Sequence, residues 1–285
     1  MSSHVMKQTI VLVTGANRGI GLGLTSTLLL RPSHTIIATI RNASTPTDDL
    51  LALPTGHNSK LMIVYFDIPT NADALRAQGE GLKEQLGREG VKWIDTVVAC
   101  AGLGDGFQSV RETGLEELMG GFWVNAMGVL VLFQGVRGLL LTKNEGVGGK
   151  EGKFILISSS LGSIGEMEGA VPSLAYGVSK AAANYLLRKI SFEERGIVAR
   201  AIHPGFVLPP LSSLSLSLLV FGGEADWSRW VKTGNGQRFA DCMGVVEPPM
   251  GVEESVKGVL EQVRWCASFG FYVDGLRLGL TGGVG

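Results

Sequence analysis

"VTGANRGIGLG", residues 13–23, follows the aliphatic run "TIVLV" (9–13) and leads into "LTSTLLL" (24–30). The run reads as a strand, the glycines as a turn, and the rest as the start of a helix. Such a turn lets backbone approach a pyrophosphate closely, and the helix N-terminus supplies N–H donors and the positive end of its dipole. Gly15 suits the tight turn, Gly19 the close approach, and Gly21 the packing of helix on strand. Glycine spacing alone is a weak signal; its place between strand and helix gives it weight.

Outward from this turn, short apolar β-branched runs alternate with helical stretches. Strands are expected at 9–14, 35–39, 61–66, 96–100, 153–158, 198–203 and 271–273, and helices near 19–30, 72–86, 115–142, 176–194 and 253–266. The strand runs are almost wholly apolar, as parallel strands covered on both faces are. The expected fold is therefore α/β: a doubly wound Rossmann fold with a mostly parallel seven-stranded sheet and helices on both faces. Ligands should gather at the carboxyl ends of the strands. Residues 1–285 are read as a single domain. The glycine-rich 145–152 reads as a loop. The segment 208–250 breaks the alternation, opening on Pro209 and Pro210 and closing on Pro248 and Pro249, and reads as an insertion over the sheet edge.

The composition narrows the function classes. With 45% hydrophobic and 18% charged residues the 285-residue chain is globular, and a net charge of −1 gives nucleic acid no purchase. Cys100, Cys242 and Cys266 lie far apart with no metal spacing, and the four histidines are scattered. No metal site is expected, and a reducing, cytoplasmic setting is the simplest reading. The N-terminal "MSSHVMKQTIVLV" runs straight into a strand and reads as no signal peptide. The most apolar stretch, 122–141, contains Asn125, Gln134 and Arg137, which would be costly in hydrocarbon; it reads as a buried helix with no membrane role.

The second strand decides the nucleotide. A carboxylate there would accept from ribose hydroxyls, but the sequence is "IIATIRNAS" (36–44), with Arg41 and no acid. Arg18 lies in the glycine turn. Two guanidiniums converging suit a 2′-phosphate by charge and by forked donors, so NADP(H) is expected. Asp67, after the third strand, could accept from an adenine amino group or cap the next helix.

The reacting end is read from "KFILISSSLGS" (153–163) and "AYGVSKAAANYLL" (175–187). Tyr176 and Lys180 are four residues apart and share a helix face. A lysine cation beside the phenol would lower its pKa and bring it toward acid–base work. A serine at the strand end could bond the same substrate oxygen. Strand alternation separates Ser159 from Ser158 and Ser160, and Ser163 is a weaker rival.

With these residues in view, the chain resembles the short-chain dehydrogenase/reductase family, standard single-domain branch. "TGANRGIG" is similar to its cofactor turn, "YGVSK" to its Y-x-x-x-K signature, "SSSLGS" to its serine strand, "VNAMG" to its helix-borne asparagine, and "HPGFV" to its proline–glycine turn. Within the family it looks most like sniffer-type carbonyl reductases and fungal ketoreductases of the norsolorinic acid ketoreductase type. The resemblance implies Tyr176 as general acid, Lys180 as its partner and ribose ligand, and Ser159 as the group polarising the carbonyl. Asn125 would hold a water linking Lys180 to solvent, the alternative being a polar residue satisfied in a helix kink. Cofactor residues would be Gly15, Asn17, Arg18, Gly19, Ile20, Gly21, Arg41, Asp67, Ile68, Ala101, Gly102, Tyr176, Lys180, Pro204, Gly205 and Val207.

Three departures stand out. Ala99-Cys100-Ala101-Gly102 replaces the family's usual Asn-Asn-Ala-Gly. Val207, Leu208 and Pro209 stand where a threonine often binds the carboxamide. The insertion at 208–250 does not match short reductases. Leu211, Leu214, Phe221, Trp227 and Trp230 within it would suit a bulky hydrophobic ketone or aldehyde as small-molecule substrate, aromatic or polyketide-like, or would merely cover the sheet edge. Reversible reduction of that carbonyl is the expected activity. A non-catalytic NADP(H) sensor or scaffold, and a dehydratase or isomerase on the same fold, are the alternatives. The helices at 115–142 and 176–194 could build a homodimer, as the resemblance suggests.

Overall fold

A computed structural model describes residues 8–104, 107–141, 151–165, 171–205 and 251–265. Six parallel strands form one sheet: β1 (Thr9–Thr14), β2 (His34–Ile40), β3 (Lys60–Tyr65), β4 (Thr96–Ala99), β5 (Gly152–Ile157) and β6 (Ile197–Ile202), in the order β3-β2-β1-β4-β5-β6. The expected seventh strand at 271–273 lies outside the described residues, as do the segment 208–250 and Val207.

Alternation along β1 shows why two helical layers are needed. Ile10 and Leu12 enter one core with Ile37, Leu82, Val129, Leu132, Phe154 and Leu187. Val11 and Val13 enter the other with Leu24, Leu28, Ile36, Ala38, Val256 and Val259. Successive side chains point to opposite faces, so an all-apolar strand must be covered twice. Helices α3 (Ala72–Arg88), α5 (Gly128–Leu141) and α6 (Leu174–Glu193) cover the first face. Helices α1 (Gly19–Leu29) and α7 (Val252–Trp265) cover the second. Reversal of strand order between β1 and β4 opens the crevice where such folds bind ligands.

The elements correct the sequence reading in four places. A short helix, α2 (Asp48–Leu51), stands where none was expected. β5 begins at Gly152, so the glycine-rich loop ends one residue earlier than its composition suggested. Helix α6 starts at Leu174, two residues ahead of Tyr176. The single long helix at 115–142 is α4 (Leu115–Phe122), a π-helical turn (Trp123–Met127) and α5. By length and composition Leu115–Leu141 could cross a membrane, but here Val129, Leu132, Phe133, Val136 and Leu140 sit in the core.

Candidate active site

The glycine turn is built by close approach. Gly15 has φ +63°, and a Cβ there would lie 3.1 Å from Ala101 Cα, at the end of β4. A Cβ on Gly21 would lie 2.2 Å from Gly15 O, so α1 can seat on the turn only through a hydrogen atom. Gly19, at φ +52°, would meet nothing within 4 Å and faces open space. Asn17, Arg18 and Ile20 complete the turn, each partly exposed. Thr14 fastens it to β4: its Oγ1 accepts from Cys100 N (3.0 Å) and Ala101 N (2.9 Å). This last residue of β1 escaped the sequence reading; its signal is a buried hydroxyl at the end of an apolar strand.

These residues fit an NADP(H) pyrophosphate and 2′-phosphate. Helix α1 begins with no capping side chain and no acid in its first turn, so neither competes with a ligand for its N-terminal donors. Arg18 and Arg41 are close enough that the charge on Arg41 adds to burial in lowering the Arg18 pKa. A dianionic phosphate would relieve that repulsion. Asp67 does not cap α3. Asn71 does, accepting from Asp73 N and Ala74 N at 3.0 Å each, while Asp67 Oδ1 accepts from Ile68 N (2.9 Å). Ile68 packs against α5, where a Cβ on Gly128 would come within 2.7 Å of it. Gly205 follows Pro204 with φ +82°, and Pro204 O accepts from Ser255 Oγ (2.6 Å).

The three predicted reacting groups come together at the carboxyl end of β5. Ser159, whose Oγ accepts from Leu161 N (3.3 Å), lies near enough to the Tyr176 hydroxyl to draw its pKa down. Lys180 Nζ lies 5.6 Å from the Tyr176 ring centroid and donates to Ile157 O (3.0 Å). Ser158 turns away, donating to Asn184 Oδ1 (2.6 Å), as alternation required. Ser160 opens a 3₁₀ turn (Ser160–Gly162), and Ser163 is its C-cap. Phe107 packs on Tyr176, with ring centroids 5.6 Å apart. Beside it, Gln108 Oε1 is the single buried side-chain polar atom without a hydrogen-bond partner among the described residues.

The electrostatics correct one expectation. Tyr176 keeps some surface open to solvent, yet protein surrounds the phenol closely enough that burial pushes its pKa up to about 12. Ser159 opposes that rise; Lys180 is not among its causes. Lys180, 6% exposed, is itself pushed down to about 8 by burial, against a smaller opposing contribution from Cys100. Burial therefore outweighs the expected charge effect: the phenol is held protonated and the lysine is eased toward neutrality.

Asn125 has its side-chain amide satisfied by protein. It is 1% exposed, in the π turn. Its Oδ1 accepts from Leu103 N (2.8 Å), and its Nδ2 donates to Leu103 O and Ser179 Oγ, both at 2.8 Å. Both amide hydrogens are thus spent on protein, tying the β4–α4 loop to α6. A Cβ on Gly102 would lie 3.1 Å from Asn125 Oδ1 and 3.6 Å from Lys180 Nζ, so glycine there lets the two side chains share one wall. Two open clefts occur elsewhere, about 410 Å³ at the amino ends of β1–β3 and about 550 Å³ between α1 and α7. Neither is lined by Tyr176.

A Rossmann-type sheet, a glycine turn at its switch point and a Ser–Tyr–Lys cluster at its carboxyl edge define a dinucleotide-dependent oxidoreductase. The chain belongs to the short-chain dehydrogenase/reductase family: the model described as "short chain dehydrogenase" matches residues 9–215. Norsolorinic acid ketoreductase of Aspergillus parasiticus is 34% identical over 90% of this chain and 83% of its own length. The norsolorinic acid ketoreductase of Dothistroma septosporum is 32% identical over 95% and 92%. Among solved structures, the NADPH-bound carbonyl reductase from chicken fatty liver shares 26% identity at TM-score 0.65, covering 91% of this chain and 88% of that one. The carbonyl reductase Sniffer of D. melanogaster, 22% identical at TM-score 0.66 with 93% of each chain covered, shares the fold.

Proposed function

We propose that this protein is an NADPH-dependent reductase of hydrophobic ketones or aldehydes, aromatic or polyketide-like, acting in the cytoplasm in secondary metabolism. The observation that carries the reading is the cluster of Ser159, Tyr176 and buried Lys180, with Lys180 Nζ 5.6 Å from the Tyr176 ring centroid and Ser159 near enough to the phenol to lower its pKa. Norsolorinic acid ketoreductases among the relatives and an NADPH-bound carbonyl reductase among the structural neighbours support substrate class and cofactor. The glycine turn would hold the pyrophosphate, Arg18 and Arg41 the 2′-phosphate, and Asp67 the adenine amino group. Ile68, Ala101, Gly102, Pro204 and Gly205 would line the rest of the groove.

When bound, NADPH supplies the hydride that reaches the carbonyl carbon. Ser159 and Tyr176 hydroxyls would both donate to the carbonyl oxygen and polarise it. As negative charge develops there, Tyr176 would pass its proton to the oxygen, giving the alcohol and leaving a phenolate that solvent re-protonates. A phenol with a pKa of about 12 is fully loaded at neutral pH, and an alkoxide is the stronger base, so the transfer runs downhill. That arrangement suits reduction better than oxidation, which needs the phenolate first. Protonated Lys180 would hold the nicotinamide ribose and stabilise the phenolate. Gln108 Oε1, unpartnered and buried next to Phe107, would accept from a hydroxyl carried by the substrate.

The test is NADPH oxidation, followed at the reduced nicotinamide absorbance with a panel of hydrophobic aromatic ketones. Wild type should turn over at least one of them, and Tyr176→Phe should bind NADPH normally and turn over none. Tight nucleotide binding with no ketone reduced would favour a sensor or scaffold instead.

A homodimer is proposed as well. Val178, Tyr185 and Phe192 are exposed (40%, 70% and 59%) and recur every seventh residue along α6. Leu115 and Met119 are exposed on α4, which packs on α6 at Gly121. An apolar seam at that interval suits a helix pair from a second copy.

A further inference from the structure

We propose that Asn184 is a positioning residue for the reaction: its one side-chain amide clasps both flanks of Ser159 to helix α6 and so sets the Ser159 hydroxyl against Tyr176. The inference rests on the catalytic reading of Ser159 and Tyr176 given above. Ser159 lies two residues beyond the last residue of β5, outside any regular ladder. Its reach to Tyr176 therefore depends on what holds residues 158–162. Ser158 Oγ donates to Asn184 Oδ1 at 2.6 Å on one flank. Asn184 Nδ2 donates to Gly162 O at 3.2 Å on the other.

The amide's orientation follows from its partners. Gly162 O can only accept, so the end facing it is Nδ2, and the Ser158 hydroxyl must then donate to Oδ1. Ser158 and Asn184 are 5% and 4% exposed, so water does not compete for these bonds. Tyr176, Lys180 and Asn184 follow at intervals of four along α6 and form one stripe. Gly162 presses on that stripe: a Cβ there would lie 2.7 Å from Lys180 Cβ. One helix thus carries the acid, its cation and the clasp, and the serine is registered to all three. Ser159 is also what draws the Tyr176 pKa downward against burial, so a slackened clasp would be felt at the phenol.

The experiment uses the full chain with Asn184→Ala, Ser158→Ala, Ser159→Ala and the double variant Asn184→Ala/Ser159→Ala. Two readouts are taken: kcat and KM with NADPH and the best ketone of the panel, and the ¹³Cζ signal of Tyr176 at neutral pH. The signal comes from tyrosine-labelled protein and is assigned with Tyr176→Phe; the chain has only four tyrosines. Asn184→Ala should lower kcat by roughly 10- to 100-fold, the cost of about 1 Å of misplacement, with KM for NADPH nearly unchanged. It should move the Tyr176 signal in the same direction as Ser159→Ala does. Ser158→Ala, a smaller change that spares the fold, should do the same to a lesser degree. The double variant should be no slower than Ser159→Ala alone. An unmoved Tyr176 signal in both Asn184→Ala and Ser158→Ala, or losses in kcat that multiply in the double variant, overturns the proposal. The labelled signal needs no turnover, so it decides the role of Asn184 even if Tyr176→Phe reduces ketones as wild type does, a result that sinks the catalytic reading alone.

Discussion

Burial, and not the charge of the residue four places on, sets the direction in which the Tyr176 pKa moves. Residue types four apart disclose that a phenol and an ammonium share a face, and a serine run at a strand end discloses the third group. Their acidity was not legible, because burial is a property of packing: nothing in "YGVSK" says that Phe107 will lie against the ring. The consequence is a pH dependence carried by the lysine. With its pKa pushed down to about 8, Lys180 carries its proton below that pH and sheds it above, while the phenol stays protonated to about 12. The pH profile of kcat/KM for ketone reduction should therefore be flat below pH 8 and decline above it, well short of phenol ionisation. A plateau continuing to pH 10 would contradict this assignment. On the proposed reading, Arg41 would carry the choice of cofactor. Replacing it by aspartate removes a charge-assisted bond of about 1.5–3 kcal/mol, so KM for NADPH should rise on the order of tenfold or more while KM for NADH barely moves. Equal changes for the two nucleotides, in steady-state kinetics, would place the 2′-phosphate elsewhere.

Among the elements, strands and helices were legible to within a few residues, because period two and period 3.6 are written directly into apolar sequence. The π turn at Trp123–Met127 was not. It adds one residue to a helical turn with no glycine or proline inside it, and its reason is tertiary: Asn125 reaches Leu103 and Ser179 at once. The short helix α2 was missed for the opposite reason, being too brief for a period to show. The glycine turn offers a test of element against element. Gly21→Ala would drive a Cβ to 2.2 Å from Gly15 O and should cost about 2 kcal/mol or more as α1 is pushed off the turn. Gly19→Ala meets nothing and bears only the strain of φ +52°, about 1 kcal/mol. Urea unfolding without added nucleotide should rank the two in that order; the reverse ranking would mean that backbone strain, not crowding, governs the turn.

For the whole molecule, the exposed seam on α6 predicts a concentration-dependent dimer. Tyr185→Glu with Phe192→Glu should shift sedimentation to the monomer and leave the circular dichroism spectrum unchanged; a double variant that still sediments as a dimer would move the interface elsewhere. The order β3-β2-β1-β4-β5-β6 has a further consequence, for synthesis on the ribosome. Pairing of β1 with β2, and of β2 with β3, can be complete once Tyr65 has emerged, but the other side of β1 pairs only with Thr96–Val98 of β4. Until then the nascent chain carries an open, wholly apolar strand border along Val11–Val13, a template for joining a neighbour on the same message. Chains halted before Thr96 should therefore clump, whereas those released after Ala99 have that border closed.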